Sequence, residues 1–427
     1  MEKVNYFMSK HNFTMHSDVL TLAKAIQADM QKGLRKEGAD QDMIRTFCNP
    51  GNEPLAGKSV IVIDAGGTNF RSCLVTFNQD GKPEISDMEK TKMPGVDKEL
   101  TKEQFFNQFA DNIEHLKNKA DRIGFCFSYP MEILENGDGK LIGFTKEVKA
   151  PEVVGCEIGK CLVEELNRRG WNPIKRITLC NDTVAALLAG VATAPKGTDY
   201  SSYVGFILGT GMNAAYIQPD CEVFKIKKQI IVCESGRFKG VLQSDFDKEY
   251  DAGSANPGTA LLEKTCSGGY LGPVAQIVLQ TAAKEKLFSS KTNEALLKIS
   301  NLQLIQFNEF LAQPYNAENV LGKIAVEGTD EDAQMIYELL DALVERSARH
   351  AAAILTACAL QCGEGKLAVK PINFFCDGST FFKTTMLKER VHGYLDEVLT
   401  RNLGIYWKIS TCDNDITLGA AISGLID

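Results

Sequence analysis

An apolar run from Ser59 to Asp64 breaks at a small Gly/Thr turn and resumes from Phe70 to Phe77. The pattern returns much later, with Ser202 to Leu208, a second glycine turn, and Ala214 to Ile217. Two apolar strands joined by a tight turn are the signature of a hairpin. After the first hairpin, Phe105, Phe106, Phe109, Ile113 and Leu116 recur at helical spacing and predict a helix over 102–120. The pattern continues as a strand over 123–127, a helix over 157–169, a strand over 177–180 and a helix over 183–192. After the second hairpin come a helix over 332–361, a strand over 372–376, a helix over 383–401, a strand over 405–409 and a helix over 416–425. Two copies of hairpin, helix, strand, helix, strand, helix predict an α/β protein with two domains of like topology and a cleft between them.

The smaller domain is expected over 58–183, with the last helix, 416–427, packed on it. The larger is expected over 1–57 and 184–415. It includes an N-terminal helix from Asp18 to Leu34 capped at Ser17, and an insertion at about 222–330. The pattern is least readable from Lys284 to Gly328.

Composition narrows the class. Hydrophobic residues make up 44% of the 427 and charged residues 24%, an ordinary globular balance. The net charge of −8 argues against a general partner among nucleic acids or anionic membranes. The thirteen cysteines form no C-x-x-C pair, and no histidine stands at zinc-ligand spacing from one. Free thiols in apolar runs imply a reducing compartment, so a cytoplasmic location is expected. The first residues hold no apolar signal core. The longest nearly apolar stretch, Ala351 to Leu360, is far short of the ~20 residues of a membrane helix.

The candidate chemistry lies at strand ends. Asp64-Ala-Gly-Gly-Thr-Asn-Phe-Arg71 puts a carboxylate before two glycines. The N–H groups of Gly66 and Gly67 and the Thr68 hydroxyl suit a phosphate, and Asp64 suits Mg²⁺ held through water. A plain hairpin turn explains the segment equally well when it is taken alone. Gly209-Thr210-Gly211-Met212-Asn213-Ala214 mimics a dinucleotide fingerprint. A strand rather than a helix follows it, which excludes that reading. Asn181-Asp182-Thr183 ends one strand and opens a helix, where α/β sheets place their chemistry. Ser128, Thr145, Lys146, Glu234 and Glu263 sit in polar turns or on a helix, and each taken singly reads as surface.

Together, in chain order, the segments DAGGTNFR, FSYP, FTK, NDT, GTGMNA, the ES pair at Glu234, SANPGTALLEK and CDGS resemble the hexokinase family of the actin/Hsp70/sugar-kinase superfamily. The resemblance implies the ribonuclease-H-like fold of that superfamily and ATP-dependent phosphorylation of a hexose, glucose foremost, at its 6-hydroxyl. By the same resemblance Asp182 is the catalytic base and Lys146 steadies the transferred phosphoryl group. Ser128, Thr145, Lys146, Asn181, Asp182, Asn213, Glu234 and Glu263 resemble the sugar ligands. Gly66, Gly67, Thr68, Asn69, Arg71, Gly209, Thr210 and Gly211 resemble the nucleotide phosphate contacts, and Asp377, Gly378 and Ser379 the adenosine segment. Asp64 resembles the residue that organises Mg²⁺, so ATP and Mg²⁺ are the implied cofactors, with a sugar and a nucleotide as small-molecule partners. The alternatives are a kinase of another sugar on the same fold and a non-catalytic sugar sensor. The chain departs from the family pattern at Ala65, Ser235, Ser379 and Thr417, where Leu, Trp, Thr and Gly are usual.

Overall fold

The computed structural model describes residues 2–50, 55–144 and 148–426. Two mixed sheets organise them. The first is five-stranded, in the spatial order Pro83–Lys92, Asn69–Phe77, Ser59–Gly66, Arg122–Phe127, Arg176–Cys180. Its first three strands run antiparallel, and the last two run parallel to Ser59–Gly66. The second sheet repeats this plan with Gln229–Val232, Met212–Gln218, Ser202–Leu208, Ile372–Asp377 and Trp407–Ser410. A two-residue strand, Ile44–Arg45, is added at its edge. In both sheets the hairpin lies at the centre and the parallel strands follow on one side. The internal repeat in the hydrophobic pattern is therefore a repeat of topology.

Several element bounds differ from those expected. The N-terminal helix runs Val19–Arg35, and its cap is Asp18 rather than Ser17, because the Asp18 carboxylate accepts the Thr21 N–H at 2.7 Å. A further helix, Glu2–Lys10, precedes it. The segment expected as one helix over 383–401 is interrupted. Met386 adopts a left-handed backbone, an α-helix follows over Leu387–Leu395, and the chain then widens to π-helical pitch over Asp396–Asn402. The unreadable stretch holds three short helices, Ser290–Leu296, Leu304–Ala312 and Val320–Glu327. The start of the first is fixed from a distance. Asp332, in the first turn of the long helix Asp330–Cys362, accepts the Ser289 N–H and hydroxyl and the Thr292 hydroxyl.

Two helices lie between the sheets. Asp182–Ala192 follows the last strand of the first sheet, and Asp415–Leu425 ends the chain. They cross at backbone contact. A Cβ on Gly419 would fall 1.8 Å from the Ala185 carbonyl oxygen, so only glycine permits this approach. The final helix also presses on the first sheet, where Gly124 faces the Ala420 carbonyl and the Gly424 nitrogen. Val62, Val184, Leu187, Ala215, Val232 and Ala421 form one buried cluster around this crossing, so the two sheets share a core there.

Candidate active site

The strand ends open on a cavity of about 440 Å³ between the two sheets. Ser128, Asn181 and Asp182 line it from the first sheet, and Asn213 and Glu234 from the second. Asp182 is the first residue of its helix. The Asn181 side chain caps that helix by accepting the Val184 N–H at 2.8 Å, and the Thr183 hydroxyl donates to Asp182 Oδ1 at 3.1 Å.

Glu234 is conformationally unusual. Its backbone is left-handed, at φ 55°, a cost that a non-glycine residue bears only where its surroundings hold it. Burial pushes its carboxyl up from the ordinary range, with Arg237 and the Asn213 amide partly opposing. Asn213 Nδ2 donates to Glu234 Oε1 at 2.8 Å, and Asn213 Oδ1 accepts the Ala214 N–H, also at 2.8 Å. Arg237 stands 4.0 Å from Glu234 and 2.9 Å from Asp42, and both Arg237 and Asp42 line the same cavity. Sequence reasoning missed this pair, since a surface Asp and Arg nearly two hundred residues apart carry no motif.

Glu263 lies behind this group. Its Oε2 accepts the Met212 N–H at 2.9 Å and its Oε1 the Tyr270 hydroxyl at 3.1 Å. It is wedged against the second glycine turn, where a Cβ on Gly211 would meet Oε2 at 2.9 Å.

Both glycine turns are clamped through their carbonyls. In the first, between Gly66 and Asn69, the Gly67 oxygen accepts the Tyr129 hydroxyl and the Thr68 oxygen the Met93 N–H, both at 3.0 Å. In the second, the Gly209 oxygen accepts the Gly268 N–H and the Thr380 hydroxyl, each at 2.8 Å. The Thr210 oxygen accepts the Gly269 N–H at 2.9 Å and the Ser267 hydroxyl at 3.0 Å. A trans peptide points its C=O and N–H in opposite directions. Anchoring these carbonyls therefore turns the N–H groups of Thr68 and Asn69, and of Thr210 and Gly211, the other way. Such rows of backbone N–H groups attract anions. Tyr129, Ser267 and Thr380 do the clamping, and sequence reasoning missed them because their role depends on contacts across the fold.

Asp64 lies two residues before the end of the central strand of the first sheet, and Arg71 NH1 donates to its Oδ2 at 3.1 Å. Asp377 ends the strand next to Ser202–Leu208, Gly378 adopts φ 112°, and Ser379 opens a short helix. Gly378 packs against the second turn, where a Cβ on Gly209 would lie 3.9 Å from the Gly378 Cα. Asp415 stands beside Asp377 at the start of the last helix. Burial, reinforced by the Asp377 carboxylate, pushes its carboxyl up to about 6. Thr417 is buried in the same helical turn. Thr145 and Lys146 lie outside the described residues. Among the described residues no cluster of three or more His, Cys, Asp or Glu side chains could hold a metal by itself. No described helix is long and apolar enough to cross a membrane.

The chain is 26% identical over 418 residues to human hexokinase-2, covering 92% of this chain and 45% of that protein. It is 26% identical over 444 residues to hexokinase-1 of Schizosaccharomyces pombe, covering 98% and 90%. The chain thus spans about half the length of the human relative and nearly all of the fission-yeast one. Among solved structures, the Schistosoma mansoni hexokinase complexed with glucose superposes with a TM-score of 0.76 at 22% identity, over 99% of both chains, which shows a shared fold. Two sequence-family models, both described as hexokinase, match residues 7–192 and 203–426. This chain belongs to the hexokinase family.

Proposed function

We propose that the cleft catalyses ATP-dependent phosphorylation of a hexose, with glucose the first candidate, at its 6-hydroxyl. The observation that carries this reading is the convergence of Ser128, Asn181, Asp182, Asn213 and Glu234 on one cavity. Each sugar hydroxyl both donates and accepts, and this mixture of hydroxyl, amide and carboxylate groups matches such a ligand. Two turns with outward N–H groups lie near it: Gly66 of the first packs beside Ser128, and the second leads directly into the strand that carries Asn213.

A sugar hydroxyl is a weak nucleophile until its proton is taken, and Asp182 is the acceptor in this reading. Phosphoryl transfer depends chiefly on positioning and charge stabilisation. Gly66, Gly67, Thr68, Asn69 and Arg71 on one turn, and Gly209, Thr210 and Gly211 on the other, hold the phosphates. Asp377, Gly378 and Ser379 take the adenosine. Lys146 supplies a fixed cation at the phosphoryl group, and Thr145 joins Glu263 among the sugar ligands. Asp64 fits Mg²⁺, a hard ion that keeps most of its waters and needs only one or two carboxylates besides substrate phosphates. When bound, Mg²⁺ neutralises charge on the phosphates.

The two lobes, 58–183 with the last helix and the remainder of the chain, each contribute part of the site, so sugar and nucleotide meet where they face one another. The thirteen unpaired cysteines support a reducing, cytoplasmic setting. The test is a coupled assay with ATP across a panel of hexoses. Hexose-dependent ADP release with formation of the 6-phosphate is expected. ATP turnover indifferent to sugar would refute the reading, and sugar binding without turnover would favour the sensor alternative.

A further inference from the structure

Glu263 is held before any ligand arrives. Its two carboxylate oxygens accept from two different donors, the Met212 backbone N–H and the Tyr270 hydroxyl. An ionised carboxylate offers about two lone-pair sites per oxygen, so each oxygen keeps one for a further donor. The last torsion of a glutamate is broad and weakly restrained by itself. The direction of those remaining lone pairs therefore depends on the two bonds already made. Gly211 and Gly236 lie against the same side chain, since a Cβ on Gly236 would lie 3.0 Å from the Glu263 Cβ.

Tyr270 is itself well placed. It stands in the first turn of the helix Gly268–Lys284, and its ring meets that of Tyr250 edge-on with centroids 5.9 Å apart. Burial, with the Glu263 carboxylate, pushes its phenol up to about 12, so it stays a donor across the physiological range. The same helical turn donates the Gly268 and Gly269 N–H groups to the second glycine turn. One short segment thus sets both the glutamate and the phosphate hairpin.

We propose that Tyr270 is a positioning residue for the sugar: its hydroxyl fixes the Glu263 carboxylate so that one lone pair on each oxygen is presented to hexose hydroxyls. This rests on the reading of the cleft as a hexose site.

The experiment compares wild type, Tyr270→Phe, Glu263→Gln, the double variant, and Tyr250→Phe as a control that keeps the ring pair. Losing one hydrogen bond to a charged acceptor should raise the sugar KM of Tyr270→Phe at least ~10-fold. Its kcat and nucleotide KM should stay within about twofold, since the Tyr270 hydroxyl bonds the sugar glutamate and not the phosphate turn. In the Glu263→Gln background the same change should move the sugar KM less than it does in wild type, because only a neutral amide remains to pair with the Tyr270 hydroxyl. Equal falls in kcat and rises in KM, additive effects in the double variant, or an equal effect of Tyr250→Phe would overturn the role of Tyr270. Absence of hexose phosphorylation by the wild type would instead overturn the function on which the proposal rests.

Discussion

Replacing Glu234 by glutamine separates the sugar contact from every other property of the cleft. Asn213 Nδ2 donates to Glu234 Oε1, and the Asn213 oxygen is committed to the Ala214 N–H. The Asn213 amide therefore cannot turn over without losing that bond. A glutamine at 234 must give its oxygen to Asn213 and leave its NH₂ where the second carboxylate oxygen stood. A donor replaces an acceptor, and the charge is lost. A hydrogen bond to a charged group is worth ~1.5–3 kcal/mol, which corresponds to a rise of ~10- to 160-fold in sugar KM. Stability should move the other way. Because burial raises the Glu234 pKa in the folded state, the stability linked to this group is present at low pH and is lost as pH rises through the folded value. At pH 8 Glu234→Gln should therefore melt no lower than wild type. In the wild type, sugar KM should also climb as the pH falls through that raised pKa, and the variant should not share this limb. The assay is steady-state phosphorylation at saturating ATP, with thermal melts alongside. A sugar KM within about threefold of wild type, or a loss borne by the ATP KM, would refute the reasoning.

Two further outcomes follow from packing and charge. Asp415→Asn should stabilise the fold at pH 8 by at most ~3 kcal/mol, because the Asp415 carboxyl is raised from 3.8 to about 6. Partial solvent contact reduces that figure, and the gain should fall away as the pH drops from 6 and vanish by about pH 3, where the wild-type carboxyl is neutral in both the folded and unfolded states; equal gains at pH 8 and pH 3 would refute the charge explanation. Gly419→Ala should destabilise by more than the ~1–3 kcal/mol of ordinary overpacking, since its Cβ would land on the Ala185 backbone. A melting temperature within about 1 °C of wild type would show that the crossing helices can part.

The candidate residues were legible in the sequence because they sit in short, local strand-end motifs. Asp64 to Arg71 and Gly209 to Ala214 span hairpin turns and Asn181 to Thr183 a strand-to-helix junction, each marked by residues adjacent in the chain. What stayed hidden depends on distant partners. The strand Pro83–Lys92 is mostly exposed and shows no alternation of apolar and polar positions, so period-two reasoning had nothing to find. The first of the short helices between Lys284 and Gly328 is anchored by Asp332 from beyond the segment. The left-handed backbone of Glu234 has no glycine to announce it. Tyr129 and Tyr270 look like ordinary aromatic residues until the fold brings their hydroxyls to Gly67 and Glu263.

The account stands most directly on the role of Asp182, which opens its helix inside the cavity beside Ser128 and Asn213. The decisive measurement is ATP-dependent formation of hexose 6-phosphate by wild-type and Asp182→Asn protein, with sugar binding measured separately by calorimetry. Asparagine keeps the shape and loses the proton acceptor, so kcat should fall ~10²- to 10⁴-fold while sugar affinity changes little. An Asp182→Asn protein that keeps more than about a tenth of wild-type kcat would contradict the assignment of general base catalysis to this carboxylate.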